Sequence, residues 1–411
     1  MDQKESERNK HGVEGNMEDF GYKVLDDGTV MITWYRPDIE IVNIPQSIYG
    51  KVVSAIGYNA FSGCKSLTNI IIPPTVTRIE NWAFGHCRSL KSITLPPSVK
   101  SIGYSTFSNC SSLTSITIPP SVKSIGDYAF DDCSSLTSVT IPPCVTSIGK
   151  HAFEGCSGLS NITIPSSVTS IGEAVFASCS SLVQIIVSEY NKHYEVIDNA
   201  LFDKQNKSLI AYPCGIQDDS YTVPQETRKI EDFAFSGSNN LTSITISLGV
   251  TSIGQYAFKG CRNLMNITIQ PSVKSIGSYA FWGCRNLTEL TIPPSVNHIG
   301  DWAFYECDTL TEITIPSGMT SIEDNVFSSC SSLTSITIPP SVTSIGRYAF
   351  SGCSSLTSIT IPSSVTSIGY SAFKNCSSLR SITIPFSVNH IGDSVFAGCS
   401  SLVVCLNHIY T

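Results

Sequence analysis

The sequence predicts an α/β repeat solenoid built from 23-residue coils. Three observations carry that expectation: a fixed period, an alternating apolar pattern inside each period, and a shortage of charge along the whole chain. Phe61, Phe84, Phe107, Phe130, Phe153 and Phe176 stand 23 residues apart, and Phe235, Phe258, Phe281, Phe304, Phe327, Phe350, Phe373 and Phe396 resume the same step. A cysteine follows three residues later at thirteen of these fourteen stations, Ser238 being the exception. Such a period marks stacked coils, none of which buries its apolar face alone.

One coil, Leu113 to Leu136, shows how each element arises. Ile116 and Ile118 alternate with Ser115 and Thr117, which predicts a half-buried strand in a parallel sheet. Pro119 and Pro120 lack amide hydrogens and end it. Val122 and Ile125 begin a return run, and Gly126 lets the chain bend where a side chain would be strained. Ala129, Phe130 and Cys133 have one-turn spacing, which predicts a short helical or 3₁₀ segment on the side away from the sheet.

Along the chain, residues 1–19 read as a disordered polar tail. Residues 20–45 hold YKVLDDGTVMITWY, a hairpin around Asp26-Asp27-Gly28 that caps the first coil. Coils fill residues 46–183 and 231–402. Between them, residues 184–230 break the period, since Phe176 and Phe235 are 59 residues apart. This long coil is expected to carry a hairpin insert turning at Asp203–Lys207. Residues 403–411 are apolar at Val403–Leu406 and read as a truncated end, open to end-to-end or edge association.

Charged residues make up 14% of the chain, against roughly 25% in typical domains, with Ser and Thr on the exposed places instead. A net charge of −8 argues against nucleic acid as a partner, because phosphate binding needs rows of Lys and Arg. No run of 18 apolar residues exists, so no membrane insertion is expected, and the N-terminal stretch lacks the apolar core of a signal peptide. The cysteine row reads as reduced, buried thiols, since neighbours with parallel Cβ directions suit an S–S bond poorly. Cys144, Cys214 and Cys405 fall off the row and their redox state is open. No CxxC or HxxxH pair suggests a metal, and no GxSxG, HExxH, GxGxxG or P-loop string suggests catalysis or a cofactor. His298 and His390 share a repeat position four coils apart, and the insert offers Glu189, His193, Asp198 and Asp203 without a nucleophile. The expectation is therefore no enzyme, no cofactor and no metal.

Binding candidates lie on repeated surface positions. Thr94, Thr117, Thr140, Thr163, Thr245, Thr268, Thr291, Thr314, Thr337, Thr360 and Thr383 share one strand position facing away from the core, interrupted by Ile71 and Ile186. They form a hydroxyl-lined ligand face, although threonine also favours strands on its own account. Glu289 and Glu312, with Asp308, add an acidic patch. A second row is aromatic: Trp82, Tyr128, Phe233, Tyr256, Tyr279, Trp302 and Tyr348 precede the repeat phenylalanine by two, and Tyr58, Tyr104 and Tyr370 by three. An aromatic ladder can serve a protein interface, but packing between successive coils is the reading favoured for it.

The string IPPSVTSIGxxAFxxCSSLTSIT, traceable from about Tyr22 to Leu402, resembles the leucine-rich repeats of the BspA-like class, also called the Treponema pallidum type. The commoner leucine-rich signature does not fit, since Ser121 stands where it has Asn or Cys. The resemblance implies a curved, right-handed solenoid with its parallel sheet on the concave face. It also implies a non-enzymatic, secreted or cell-surface adhesin. Its ligands would be host matrix or plasma proteins, glycoproteins, and epithelial or microbial surfaces. An intracellular protein-interaction scaffold in the cytoplasm is the alternative, and a structural spacer a further one.

Overall fold

The computed structural model describes residues 17–36 and 39–403. The predicted tail up to residue 16, Cys405, and the rest of the C-terminal end from residue 404 lie outside the described residues. The chain divides into two units, residues 1–204 and 205–411, each a stack of coils.

In the first unit, strand Ser115–Thr117 pairs in parallel with Ser92–Thr94, placing Thr117 beside Thr94. A second, shorter strand, Ser124–Ile125, pairs in parallel with Ser101–Ile102 on one side and Ser147–Ile148 on the other. Partners differ by one period, so the sequence repeat is also the stacking register. The second unit repeats both sheets. Its strands Ser243–Thr245, Asn266–Thr268 and Glu289–Thr291 pair in order, as do Glu312–Thr314 with Ser335–Thr337 and Ser358–Thr360 with Ser381–Thr383.

The helical or 3₁₀ segment expected over Ala129–Cys133 does not form. Among the described residues the one 3₁₀ turn is Met17–Asp19, outside the coils. The turn segment instead splits its amides in alternation. Tyr128, Phe130 and Asp132 donate to Lys150, Ala152 and Glu154 of the next coil, each at 2.8 Å. Ala129, Asp131 and Cys133 donate three residues back within the coil, at 3.3, 3.2 and 3.1 Å. The alternation requires left-handed backbone at Tyr128 and Asp132, with φ of 57° and 54°. Residues two before and two after the repeat phenylalanine are left-handed at all fourteen stations. A helix would have aimed every amide along one axis. Here every second amide turns sideways and builds a third ladder between coils.

The core follows from this register. Twelve of the repeat phenylalanines are almost fully buried. Their rings stack at 5.5 Å and 3° for Phe84 and Phe107, and at 5.2 Å and 5° for Phe281 and Phe304. From Cys87 onward, each row cysteine donates its thiol to the phenylalanine carbonyl of the preceding coil, as Cys133 does to Phe107 at 3.1 Å and Cys353 to Phe327 at 3.2 Å. None of the described cysteines is joined in a disulfide. Gly126 is needed for a different reason than a bend: a Cβ there would lie 2.7 Å from the backbone carbon of Gly103. Adjacent coils approach too closely for any side chain.

At the N-terminal end, Phe20–Val24 and Val30–Tyr35 pair antiparallel. The Tyr35 ring lies 5.2 Å from that of Phe61, extending the aromatic column by one member. In the irregular stretch, Tyr194–Ile197 and Ala200–Asp203 form an antiparallel hairpin turning at Asp198 and Asn199, both left-handed. The turn read from sequence at Asp203–Lys207 is also present, between strands Ala200–Asp203 and Ser208–Ala211. The missing station of the core column is Tyr212, one period before Phe235. Its amide donates to Ala234 at 2.8 Å and its ring stacks on Phe235 at 5.4 Å. Cys214, expected off the thiol row, is buried close behind this ring and donates to the Ser236 carbonyl at 3.2 Å.

Replacing Phe350 by Ala should destabilise the chain by about 3–5 kcal/mol in urea unfolding. Hydrogen exchange should accelerate first in the coils that touch it. Unchanged stability and exchange would remove this column from the core.

Candidate binding face

Strand alternation decides what the sheet shows to solvent. In Ser115–Thr117 the central Ile116 is buried and both hydroxyl residues are exposed. The eleven threonines singled out above all take this position and are exposed, except the half-buried Thr245. Thr140 stands just past its strand, Ser138–Val139. Sequence reasoning missed one further member. Thr222 ends strand Ser220–Thr222 and pairs with Thr245, a neighbour its one-period spacing would have revealed.

The hydroxyls of a coil fall into two groups. Four rows close against the preceding coil. Thr114 donates to the Lys91 carbonyl at 3.1 Å, Thr146 to Lys123 at 3.2 Å, Ser121 to Val99 at 2.6 Å and Ser134 to Ser111 at 3.3 Å. The second unit repeats this in Thr334, Thr343, Ser354 and Ser364. The side-chain hydroxyls of the strand-face pairs, such as Ser115 with Thr117 and Ser335 with Thr337, make no hydrogen bond inside the described protein. Each hydroxyl there keeps one donor and its acceptor lone pairs for something else. The face is therefore a neutral grid of hydrogen-bonding groups, spaced by about 4.8 Å from coil to coil.

Two interruptions make the grid apolar. Ile71 is 54% exposed and Ile186 42%. Beside Ile71 lies a groove of about 410 Å³ lined by Ile41, Ile71, Pro74, Thr94 and Pro97. Glu312 is exposed on the same face, opposite Ser335. Glu289 sits in register with Asn266, and its side chain lies outside the described residues. Asp308, grouped with these by sequence, has its carboxylate 3.7 Å from the Arg285 guanidinium.

Elsewhere the titratable groups gather on the turn side of the first unit. The His151 ring stacks on Tyr128 at 4.5 Å and its Nδ1 lies 2.5 Å from Glu154. Ser108 donates to Asp131 at 3.2 Å. Burial, then the charges of Asp132 and Glu154, push the Asp131 carboxyl up to about 6, against the hydrogen bond from Ser108 and the pull of His151. Asp131 and Glu154 hold the same repeat position in adjacent coils, so their meeting was present in the sequence and went unread. Glu189, His193, Asp198 and Asp203 are spread over the irregular stretch, with the His193 amide donating to Asn191 at 2.8 Å. Among the described residues no three His, Cys, Asp or Glu side chains gather as a metal site, and no helix is long and apolar enough to cross a membrane.

The raised value gives Asp131 a defined pH signature. The fold favours its protonated form, so its contribution is fully present below the ordinary value of 3.8 and is lost as pH rises through about 6. Asp131→Asn should flatten the stability profile across that window, as read from urea midpoints at stepped pH. An unchanged profile would show that Asp131 does not titrate there.

The sequence pattern of the BspA type leucine-rich repeat region, in six copies, matches residues 34–142, 100–218, 211–334 and 320–405. Among solved structures, the chain is similar to a leucine-rich repeat protein from Bacteroides ovatus, with 32% identity over 93% of this chain and 91% of that one, at a TM-score of 0.51. It is also similar to a leucine-rich cell surface protein from Faecalibacterium prausnitzii, with 30% identity over 97% and 94% of the two chains, at a TM-score of 0.53. The pneumococcal vaccine antigen PcpA shares the fold, with 22% identity over 93% and 98% and a TM-score of 0.60. No curated protein matches the chain.

Proposed function

The chain belongs to the BspA-type leucine-rich repeat family, whose fold serves protein interaction, and on that premise we propose that it is a non-enzymatic adhesin of a microbial cell surface. Its strand face would bind host matrix or plasma proteins, glycoproteins or other cells. The observation that carries this reading is the open hydroxyl grid. Four hydroxyl rows are consumed in holding coils together, and the row bearing Thr314, Thr337, Thr360 and Thr383 is left for another molecule. Many weak, repeated contacts along such a row add up to useful avidity. The matching family is not a catalytic one, and the structural relative from Faecalibacterium prausnitzii is described as a cell surface protein.

Antibody labelling of intact against permeabilised cells tests the location. Labelling of intact cells supports the adhesin. Labelling after permeabilisation alone points to an intracellular scaffold.

Thr314→Lys with Thr337→Lys should leave thermal stability unchanged, since both side chains are exposed and make no internal bond. The pair should weaken binding to immobilised host matrix proteins by about tenfold or more, the scale of interface hot spots. Undiminished binding would exclude this part of the face.

A further inference from the structure

The second unit carries a block of residues that its fold does not require. The position after the repeat phenylalanine is Ser236, Ser328 and Ser351 in three of its eight phenylalanine coils, with Lys374 and Ala397 in the last two. In three consecutive coils it is Lys259, Trp282 and Tyr305. In the same region the position two before the phenylalanine is Phe233, Tyr256, Tyr279 and Trp302. That position is left-handed, which a bulky side chain adopts less readily than Asn or Ser. Asn325, Ser371 and Ser394 hold the same conformation at the same place in later coils. The aromatic choice therefore answers to something other than the backbone.

The rings form two adjoining columns. Phe233, Tyr256 and Tyr279 stack at 4.6 Å per step, with interplanar angles of 16° and 8°, and Trp302 follows Tyr279 at 5.9 Å. Trp282 leans on Tyr279 at 5.6 Å, and Tyr305 meets Trp302 edge-on at 4.9 Å. All six rings are only partly buried. Stacking closes the ring faces of the first column and leaves its edges to solvent. Those edges are the positive end of the ring quadrupole.

Charge strengthens the same sign. The Lys259 ammonium lies 5.4 Å from the Tyr256 centroid and 5.1 Å from that of Trp282. Among the described residues no carboxylate lies within ion-pair distance of Lys259 or of the exposed Arg262. Arg285, by contrast, is held by Glu306 at 2.8 Å and Asp308 at 3.7 Å. On a chain of net charge −8, this is an apolar patch with two uncompensated cations. A base or a sugar would need an open aromatic face to stack upon, and the faces of the first column are taken. Carboxylates set among apolar side chains satisfy both the cations and the ring edges.

We propose that this two-column aromatic block, flanked by Lys259 and Arg262, docks an acidic segment of a partner protein, on a surface separate from the strand face. The test uses the whole chain and three soluble probes: a copolymer of glutamate and tyrosine, one of lysine and tyrosine, and polygalacturonate as an anionic glycan. Binding is read from the fluorescence of Trp282 and Trp302. The glutamate–tyrosine copolymer should bind, and the other two should not. Trp282→Ser restores the residue that Ser328 and Ser351 supply at this position, so it should fold. Arg262→Glu changes an exposed side chain that stacks on no ring. Each should weaken copolymer binding by about tenfold. Thr314→Lys with Thr337→Lys should leave it unchanged, which separates this surface from the proposed adhesive face. Equal binding of polygalacturonate, binding of the lysine copolymer, or full affinity in both variants would overturn the proposal.

Discussion

The division of amides along the turn segment is the constraint from which the rest of each coil follows. Alternate residues bond within their own coil and across to the next one, so neither set is left without a partner. The arrangement demands one left-handed residue on either side of every repeat phenylalanine, each costing about 1–2 kcal/mol when it is not glycine. Roughly 1 kcal/mol returns with each backbone hydrogen bond formed, and the phenylalanine between them is fixed over its neighbour. The thiol then has one place to go, the phenylalanine carbonyl of the preceding coil. Cysteine suits that place as a small, largely apolar group with a weak donor.

Stacking in register has an electrostatic cost that shapes composition. Whatever stands at one repeat position meets its own counterpart about 4.8 Å away. A charged residue repeated there would face its like along the entire column. Serine and threonine avoid this, and a hydroxyl can donate to the coil behind it while accepting from elsewhere. Some charged neighbours differ in sign and pair, as Lys150 and Glu173 do at 2.6 Å. Asp131 and Glu154 carry the same sign, and burial together with the charges of Asp132 and Glu154 raises the carboxyl of Asp131.

Much of this was legible in the sequence. The period gave the register, the alternation in Ser115–Thr117 gave the exposed rows, and the spacing of Phe130 and Cys133 gave the core columns. The helical reading of Ala129–Cys133 failed because one-turn spacing is shared by a helix and by a chain of tight turns, and left-handed backbone leaves little trace when tyrosine or aspartate occupies it. Tyr212 is hidden in the sequence because tyrosine replaces phenylalanine at that station and the period is broken before it. The difference between open and closed hydroxyl rows was not legible at all. Thr114 and Thr117 are the same residue type three apart, and only the path of the chain decides which of them reaches a carbonyl.

The hairpin formed by Tyr194–Ile197 and Ala200–Asp203 has a consequence beyond its own pairing. A chain of near-identical coils has many almost equivalent ways to stack, because a shift by one whole period preserves alternation, core and ladders alike. Pairing errors of that kind are what slow and trap repetitive folds. The stretch from Phe176 to Tyr212 is 36 residues, thirteen more than one period, and matches no other coil. Any shifted stack must leave it unpaired or force it against a shorter neighbour. The irregular coil thus works as an index mark, giving an otherwise uniform ruler a place from which its divisions are counted.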